Sequence, residues 1–184
     1  MKIKNGQLIV YDVDEEYRDF LRKFDYKVSM KENRRFYGIL VTENNTDYCI
    51  PFSCQIKKRN TKLTINIKHK NITIAQLLIN NMIPVASSSI KIVDINNDKQ
   101  KGYLKDEVVY LKDEEVIKEI LKKSENVIKV MKDNKHCDYE FFKKICCNFQ
   151  LLEEKCNEWE RIHSQIILQQ EDEAESEDEE EPEM

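Results

Sequence analysis

Glycine is scarce in this 184-residue chain, which has only three. Neither GxxxxGK[ST] nor GxGxxG occurs, so a glycine-lined nucleotide cradle is excluded. Three prolines rule out a proline-rich linker or a collagen-like repeat. No apolar run approaches the roughly 18 residues of a membrane-spanning helix. The start, MKIKNGQLIVYDVDEEY, turns acidic too early for a signal peptide, and six cysteines without a secretory signal suit a reducing compartment. A cytoplasmic protein without a membrane partner is expected. Paired C-x₂₋₄-C knuckles are also missing. Cys49 and Cys54, five apart, have no second such spacing to pair with; Cys146 and Cys147 are adjacent, and His136-Cys137 falls in an expected turn. A structural zinc site is therefore not expected, and neither a metal nor any other cofactor is assigned. Cys54, His69, His136 and His163 form no cysteine-protease signature.

The other conspicuous absence is of one charge sign. Between Asp47 and Asp94 there is no carboxylate, whereas Lys57, Lys58, Arg59, Lys62, Lys68, Lys70 and Lys91 all fall inside that window. The C-terminal stretch 171–184 is the opposite, with ten carboxylates and no base. Residues 1–170 thus hold 30 basic against 25 acidic side chains, a mildly basic body of +5 within a chain of −5. A basic run on a sheet suits a phosphate backbone, and its bland alternative is a solvated surface. The organisation expected is one domain over 1–170 and a disordered acidic tail over 171–184, whose apolar content is too low to fold.

Periodicity divides the body in two. QLIVYDV (7–13) alternates as a strand, and Asp14 can cap a short helix bearing Tyr17, Phe20, Leu21 and Phe24 on one face. RFYGILVT and DYCIPFS are strand-like runs joined by ENNT, where Asn44-Asn45 tolerates a left-handed turn. LTINIKH, ITIAQLL, NMIPV and SIKIVDI continue the β pattern, with Pro84 at an edge or bend and AQLLINN open to a short helix. From about Tyr103 the period becomes helical as far as Lys132. A second apolar stripe runs from Phe142 to Ile166, with MKDNKHCD as the intervening turn and Asn148 as an internal N-cap. The pairs DVDEE and DEE read as helix-start charges. The expected class is α+β, an antiparallel sheet with long C-terminal helices appended.

Several stretches resemble the ToxN/AbiQ family: VYDVDEEYRDFLRKFDYKV, RRFYGILV, DYCIPFS, NMIPV and, most distinctively, CCNFQLLEEK. The similarity runs from about residue 8 to about residue 158. It implies a single-domain toxin with a strongly bent antiparallel sheet similar to the Kid/MazF toxins. It also implies a metal-independent endoribonuclease of a type III toxin–antitoxin system active in phage defence. Such an enzyme cuts single-stranded, often A-rich RNA by 2′-hydroxyl attack, leaving a 2′,3′-cyclic phosphate and a 5′-hydroxyl. Its antitoxin partner is a repeated pseudoknot RNA, closed with the toxin into a ring of three proteins and three RNAs; DNA is not an expected partner. Carried onto this chain, the catalytic set is Ser53, Tyr17 and Arg34, with Arg35 as the alternative basic residue before the F-x-G strand. If the family pattern is P-x-S, Ser53 is the active-site serine; if it is P-x-T-S, Ser53 takes the threonine slot and Cys54 the serine slot. Ser53 is favoured, a thiol being an unusual replacement. Lys57 and Lys58 match the lysine after the serine, and with Arg35, Cys54, Arg59, Lys62, Lys68 and Lys70 they make up the expected RNA-binding set. The reading from another class is a non-catalytic RNA-binding module using the same basic surface.

Overall fold

The computed structural model describes residues 3–4, 7–29, 35–58, 60–98 and 101–178. Its first strands, β1 (Ile3–Lys4) and β2 (Gln7–Leu8), form a small antiparallel ribbon. β3 (Val10–Val13) leads into α1 (Glu15–Arg22), whose first turn carries Glu15 and Glu16 at the positive end of the helix. Asp14 occupies the N-cap position, but its carboxylate makes no cap bond and meets Lys91 at 3.4 Å instead. β4 (Phe36–Glu43) and β5 (Thr46–Ser53) form the expected hairpin, turning on Asn44 and Asn45 at φ 48° and 62°. A second hairpin joins β6 (Thr64–His69) to β7 (Ile72–Leu78) through Lys70 and Asn71, also left-handed at φ 49° and 66°. The helical alternative in AQLLINN survives only as a 3₁₀ turn at Ile79–Asn81. β8 (Ile83–Pro84) and β9 (Ile90–Ile92) complete the strands.

Every strand pairing is antiparallel. The main sheet runs β6-β7-β5-β4-β3-β9, with β8 also on β5. β5 is the shared strand. Along Thr46–Pro51 it pairs with β4, at Tyr48 and Cys49 with β8, and only at Phe52 and Ser53 with β7. Ser53 therefore sits where one section of sheet passes into the other. Gly38 in β4 lies opposite Pro51, and a Cβ there would come within 2.5 Å of both Cys49 Sγ and the Ile50 carbonyl. The glycine of F-x-G is thus required by close packing.

The second half is α2 (Lys101–Tyr110), α3 (Glu114–Lys132), α4 (Tyr139–Ile145) and α5 (Phe149–Asp178). The first helical stretch breaks at Asp113, whose carboxylate accepts from the N–H groups of Glu115 (2.9 Å) and Val116 (3.3 Å). Asn148 caps α5, its Oδ1 accepting from Leu151 N at 3.3 Å. The sheet and helices form one α+β unit, tied by the stretches that carry the family resemblance. Asp25 accepts the Asn148 N–H at 2.6 Å, and Lys27 donates to the Lys143 and Cys146 carbonyls at 2.6 and 3.0 Å. Tyr48 donates to the Glu153 carboxylate and sets its ring edge on Phe149, centroids 5.9 Å apart. Cys146, Cys147 and Cys156 are buried, and burial pushes the Cys146 thiol up to about 12, so these cysteines act as small apolar groups. The backbone of α5 continues helical through Asp178, whereas the composition predicts disorder from 171; 179–184 lie outside the described residues. Glutamate and alanine propagate a helix already nucleated, which composition alone does not register. No helix among the described residues is long and apolar enough to cross a membrane.

Candidate active site

β5 delivers Ser53 almost wholly buried, 3 % exposed, to the floor of a cleft of about 230 Å³. Polar groups reach that cleft from Arg18, Ser29, Arg35, Ser53, Gln55 and Asn81, over walls that include Phe36, Pro51 and Phe52. Neither a carboxylate nor an imidazole lines it among the described residues. The chain beyond Ser53 is held down by Gln76, itself 2 % exposed and paired with Ser53 in the sheet register. Gln76 Oε1 accepts from Lys57 N (3.2 Å), while Nε2 donates to the Lys57 carbonyl (2.9 Å) and Asn66 Oδ1 (2.8 Å). One buried amide therefore fixes the segment carrying Cys54, Gln55 and Lys57 beside the serine. Cys54, exposed in that segment, is outside the cleft lining.

Arg35 lines the cleft as expected, but much of its charge is already matched. Its Nη1 donates to Asp98 Oδ2 (2.7 Å) and Tyr37 Oη (2.6 Å), and Nε lies 3.6 Å from Asp12. Arg18 is a different case: it is 4 % exposed, its guanidinium stacks 5.5 Å from the Phe36 ring centroid, and its Nε is buried without a hydrogen-bond partner. An adjoining cleft shares both arginines and is lined also by Asp12, Asp14, Glu15 and Lys91. Burial pushes the Asp12 carboxyl up, opposed chiefly by Arg35 and by the N–H that Phe36 donates to it at 3.2 Å.

Tyr17 does not join this constellation. It is fully buried, donates its hydroxyl to the Pro84 carbonyl at 2.9 Å, and packs edge-on to Trp159. Desolvation pushes its phenol far above the ordinary range, so it is a core residue that pins α1 to the sheet and α5. Arg34 and Arg59 lie outside the described residues. Of the basic window, Lys57, Lys58, Lys68 and Lys70 are exposed and form no ion pair among the described residues, although Lys68 and Lys70 sit towards the far turn of the β6–β7 hairpin. Lys62 is paired with Asp138 at 3.0 Å, Lys91 with Asp14, and His69 approaches Asp106 at 3.5 Å. A window free of acid along the chain thus receives carboxylates from remote segments in space. His136, Cys137 and Asp138 bring their ligand atoms within 4.8 Å of one another. Asp138 is held by Lys62 and His136 Nδ1 takes the Asp138 N–H, so this is turn geometry. Sequence reasoning missed Arg18 and Gln76: one is embedded in the acidic helix start DEEYRDF, the other in an apolar strand.

A family model described as toxin ToxN of type III toxin–antitoxin systems matches residues 9–157. The endoribonuclease ToxN of Bacillus thuringiensis subsp. kurstaki is 32 % identical over 162 residues, spanning 81 % of this chain and 82 % of that protein. Among solved structures, one from work on selective toxin inhibition by a non-coding RNA pseudoknot in bacterial type III systems superposes with a TM-score of 0.73. It is 28 % identical and covers 83 % of this chain and 98 % of its own. AbiQ, a lactococcal anti-phage endoribonuclease of the type III class, matches with a TM-score of 0.70 at 28 % identity, covering 85 % and 99 % of the two chains.

Proposed function

The chain belongs to the ToxN family of type III toxin–antitoxin toxins, and from that premise we propose that it is an endoribonuclease whose active cleft is the one around Ser53. The observation that carries this reading is the arrangement at the end of β5. A buried serine and two arginines line a cleft that no carboxylate among the described residues lines, a setting suited to a phosphodiester. In the proposed reaction the 2′-hydroxyl of single-stranded RNA loses its proton and attacks the adjacent phosphorus. The P–O5′ bond breaks, the 5′-oxygen takes up a proton, and a 2′,3′-cyclic phosphate remains. Ser53 donates a hydrogen bond to a non-bridging oxygen as charge develops there. Arginine stays protonated throughout, so Arg35 contributes charge and not proton transfer. Phe52, half-buried in the cleft wall, offers a face on which a base can stack, and Lys57 and Lys58 extend the contact along the backbone. A metal-independent reaction on A-rich RNA is part of the same proposal and comes with the resemblance.

The relatives' association with a non-coding RNA pseudoknot supports an RNA antitoxin for this chain too. A closed ring of three proteins and three RNAs is the proposed assembly. The test of the site is a pair of substitutions. Ser53→Ala should lower the single-turnover cleavage rate by about 100-fold, the scale of losing one transition-state donor, with folding retained. Cys54→Ala should stay near the unsubstituted rate. The reverse pattern would put the active hydroxyl's role on Cys54 and refute the assignment of Ser53.

A further inference from the structure

Arg18 poses a physical problem that the fold does not solve. It is 4 % exposed, its Nε is buried without a partner, and no carboxylate stands at ion-pair distance from it among the described residues. Removing a charge from water without a partner is costly, so such a group is retained only where something compensates it. Stacking over Phe36 offsets part of this penalty. Asp12 is near enough to feel Arg18 electrostatically but is engaged by the Phe36 N–H and by Arg35. Arg18 lines the cleft that also holds Ser53 and, on its other side, the cleft bordered by Asp12, Asp14 and Glu15.

The contrast with Arg35 decides which arginine is prepared for an anion. Arg35 is 61 % exposed at its side chain, spends Nη1 on Asp98 and Tyr37, and has Asp12 at 3.6 Å from Nε. Arg18, on α1, is held against the Phe36 ring, and its buried Nε has no partner. We propose that Arg18 is the fixed oxyanion clamp of the Ser53 cleft, binding a phosphodiester oxygen of the RNA. The inference deepens the nuclease reading given above and rests on it for the identity of the anion. The chemistry chosen is phosphate because a planar fork of N–H groups beside a serine hydroxyl matches two oxygens of one tetrahedral anion. The ligand also supplies the missing counter-charge, so occupancy stabilises the fold.

The experiment measures thermal unfolding of the full chain in inorganic phosphate against chloride at equal ionic strength, together with single-turnover cleavage of a mixed-sequence single-stranded RNA. Unsubstituted protein should melt higher in phosphate, by several degrees at 100 times the dissociation constant. Arg18→Met, which keeps the packing on Phe36, should lose that rise and cleave about 100-fold more slowly. Arg18→Lys, which keeps the charge without the fork, should fold and cleave about tenfold more slowly. No phosphate-specific rise in the unsubstituted protein would overturn the proposal, and so would an undiminished cleavage rate in Arg18→Lys. If Arg18→Met fails to fold, these two results still decide. Protein that takes up phosphate through Arg18 yet cuts no RNA would remove the nuclease reading and keep the anion site. Protein that cuts RNA equally well with Arg18→Met would do the reverse.

Discussion

Gly38 and Gln76 show how single residues set the cleft without touching a substrate. At Gly38 any side chain would press on Cys49 Sγ and on the Ile50 carbonyl, and only the sulfur can move. Gly38→Ala should destabilise the protein by about 3 kcal/mol, the upper range for overpacking, measured as a lower urea midpoint. Adding Cys49→Ala should recover only part of it, because the carbonyl remains. At Gln76 the side-chain amide closes two hydrogen bonds with the Lys57 backbone, which hold the segment after Ser53, and a third to Asn66 on β6. Gln76→Leu keeps the bulk but strands the Lys57 backbone groups, a loss of roughly 2 kcal/mol. Cleavage should fall about tenfold while the unfolding transition stays cooperative; an unchanged rate would show that the segment needs no such tether. The proposal of Ser53 rests in the sequence on the resemblance alone, through the P-x-S pattern, with Cys54 as its P-x-T-S alternative. Arg18 and Gln76 were not legible at all, because their significance lies in burial and missing or completed hydrogen bonds. Tyr17, a motif residue, is buried between α1, Pro84 of β8 and Trp159 of α5, a placement the motif does not register.

At the level of elements, the turn chemistry and helix starts were readable because they depend on neighbours in the chain. Asn44-Asn45 took the left-handed turn, Asp113-Glu114-Glu115 started α3, and Asn148 capped α5. The field of the basic window was not, since Asp138, Asp106 and Asp14 approach it from other elements. The ties between FDYKV and CCNF were likewise invisible, because a carboxylate accepting a remote N–H leaves no local pattern. Helix α2 carries one further consequence. Glu107 on it is 3 % exposed, and burial, aided by Asp106, pushes its carboxyl up to about 7 from an ordinary 4.5. The folded-state value exceeds the unfolded one, so the native protein holds the proton between those limits. The contribution is fully present below about 4.5 and is lost as pH rises through 7. The pH-dependent part amounts to at most about 3 kcal/mol. Glu107→Gln should flatten the decline of stability between pH 5 and 8, read from urea midpoints across that range. An identical decline in the variant would assign it to other groups.

For the whole molecule, the division of labour follows the sheet. One section, β9-β3-β4, carries Asp12 and Arg35's neighbours; the other, β7-β6, carries Gln76 and Asn66; β5 joins them and ends at Ser53. The helical layer locks this join from behind through Tyr48–Glu153 and Asp25–Asn148. Most of the stretches by which the family is recognised thus include fastenings of the scaffold. The proposed function makes this scaffold a ribonuclease cleft working by 2′-hydroxyl attack without a metal. The most direct measurement incubates the purified full chain with an A-rich single-stranded RNA in excess EDTA and reads the new ends by mass spectrometry. Fragments bearing 2′,3′-cyclic phosphate and 5′-hydroxyl ends are expected, about 100-fold slower to appear with Ser53→Ala. RNA that is bound but left whole, or ends bearing 3′-hydroxyl and 5′-phosphate, would contradict the proposed function.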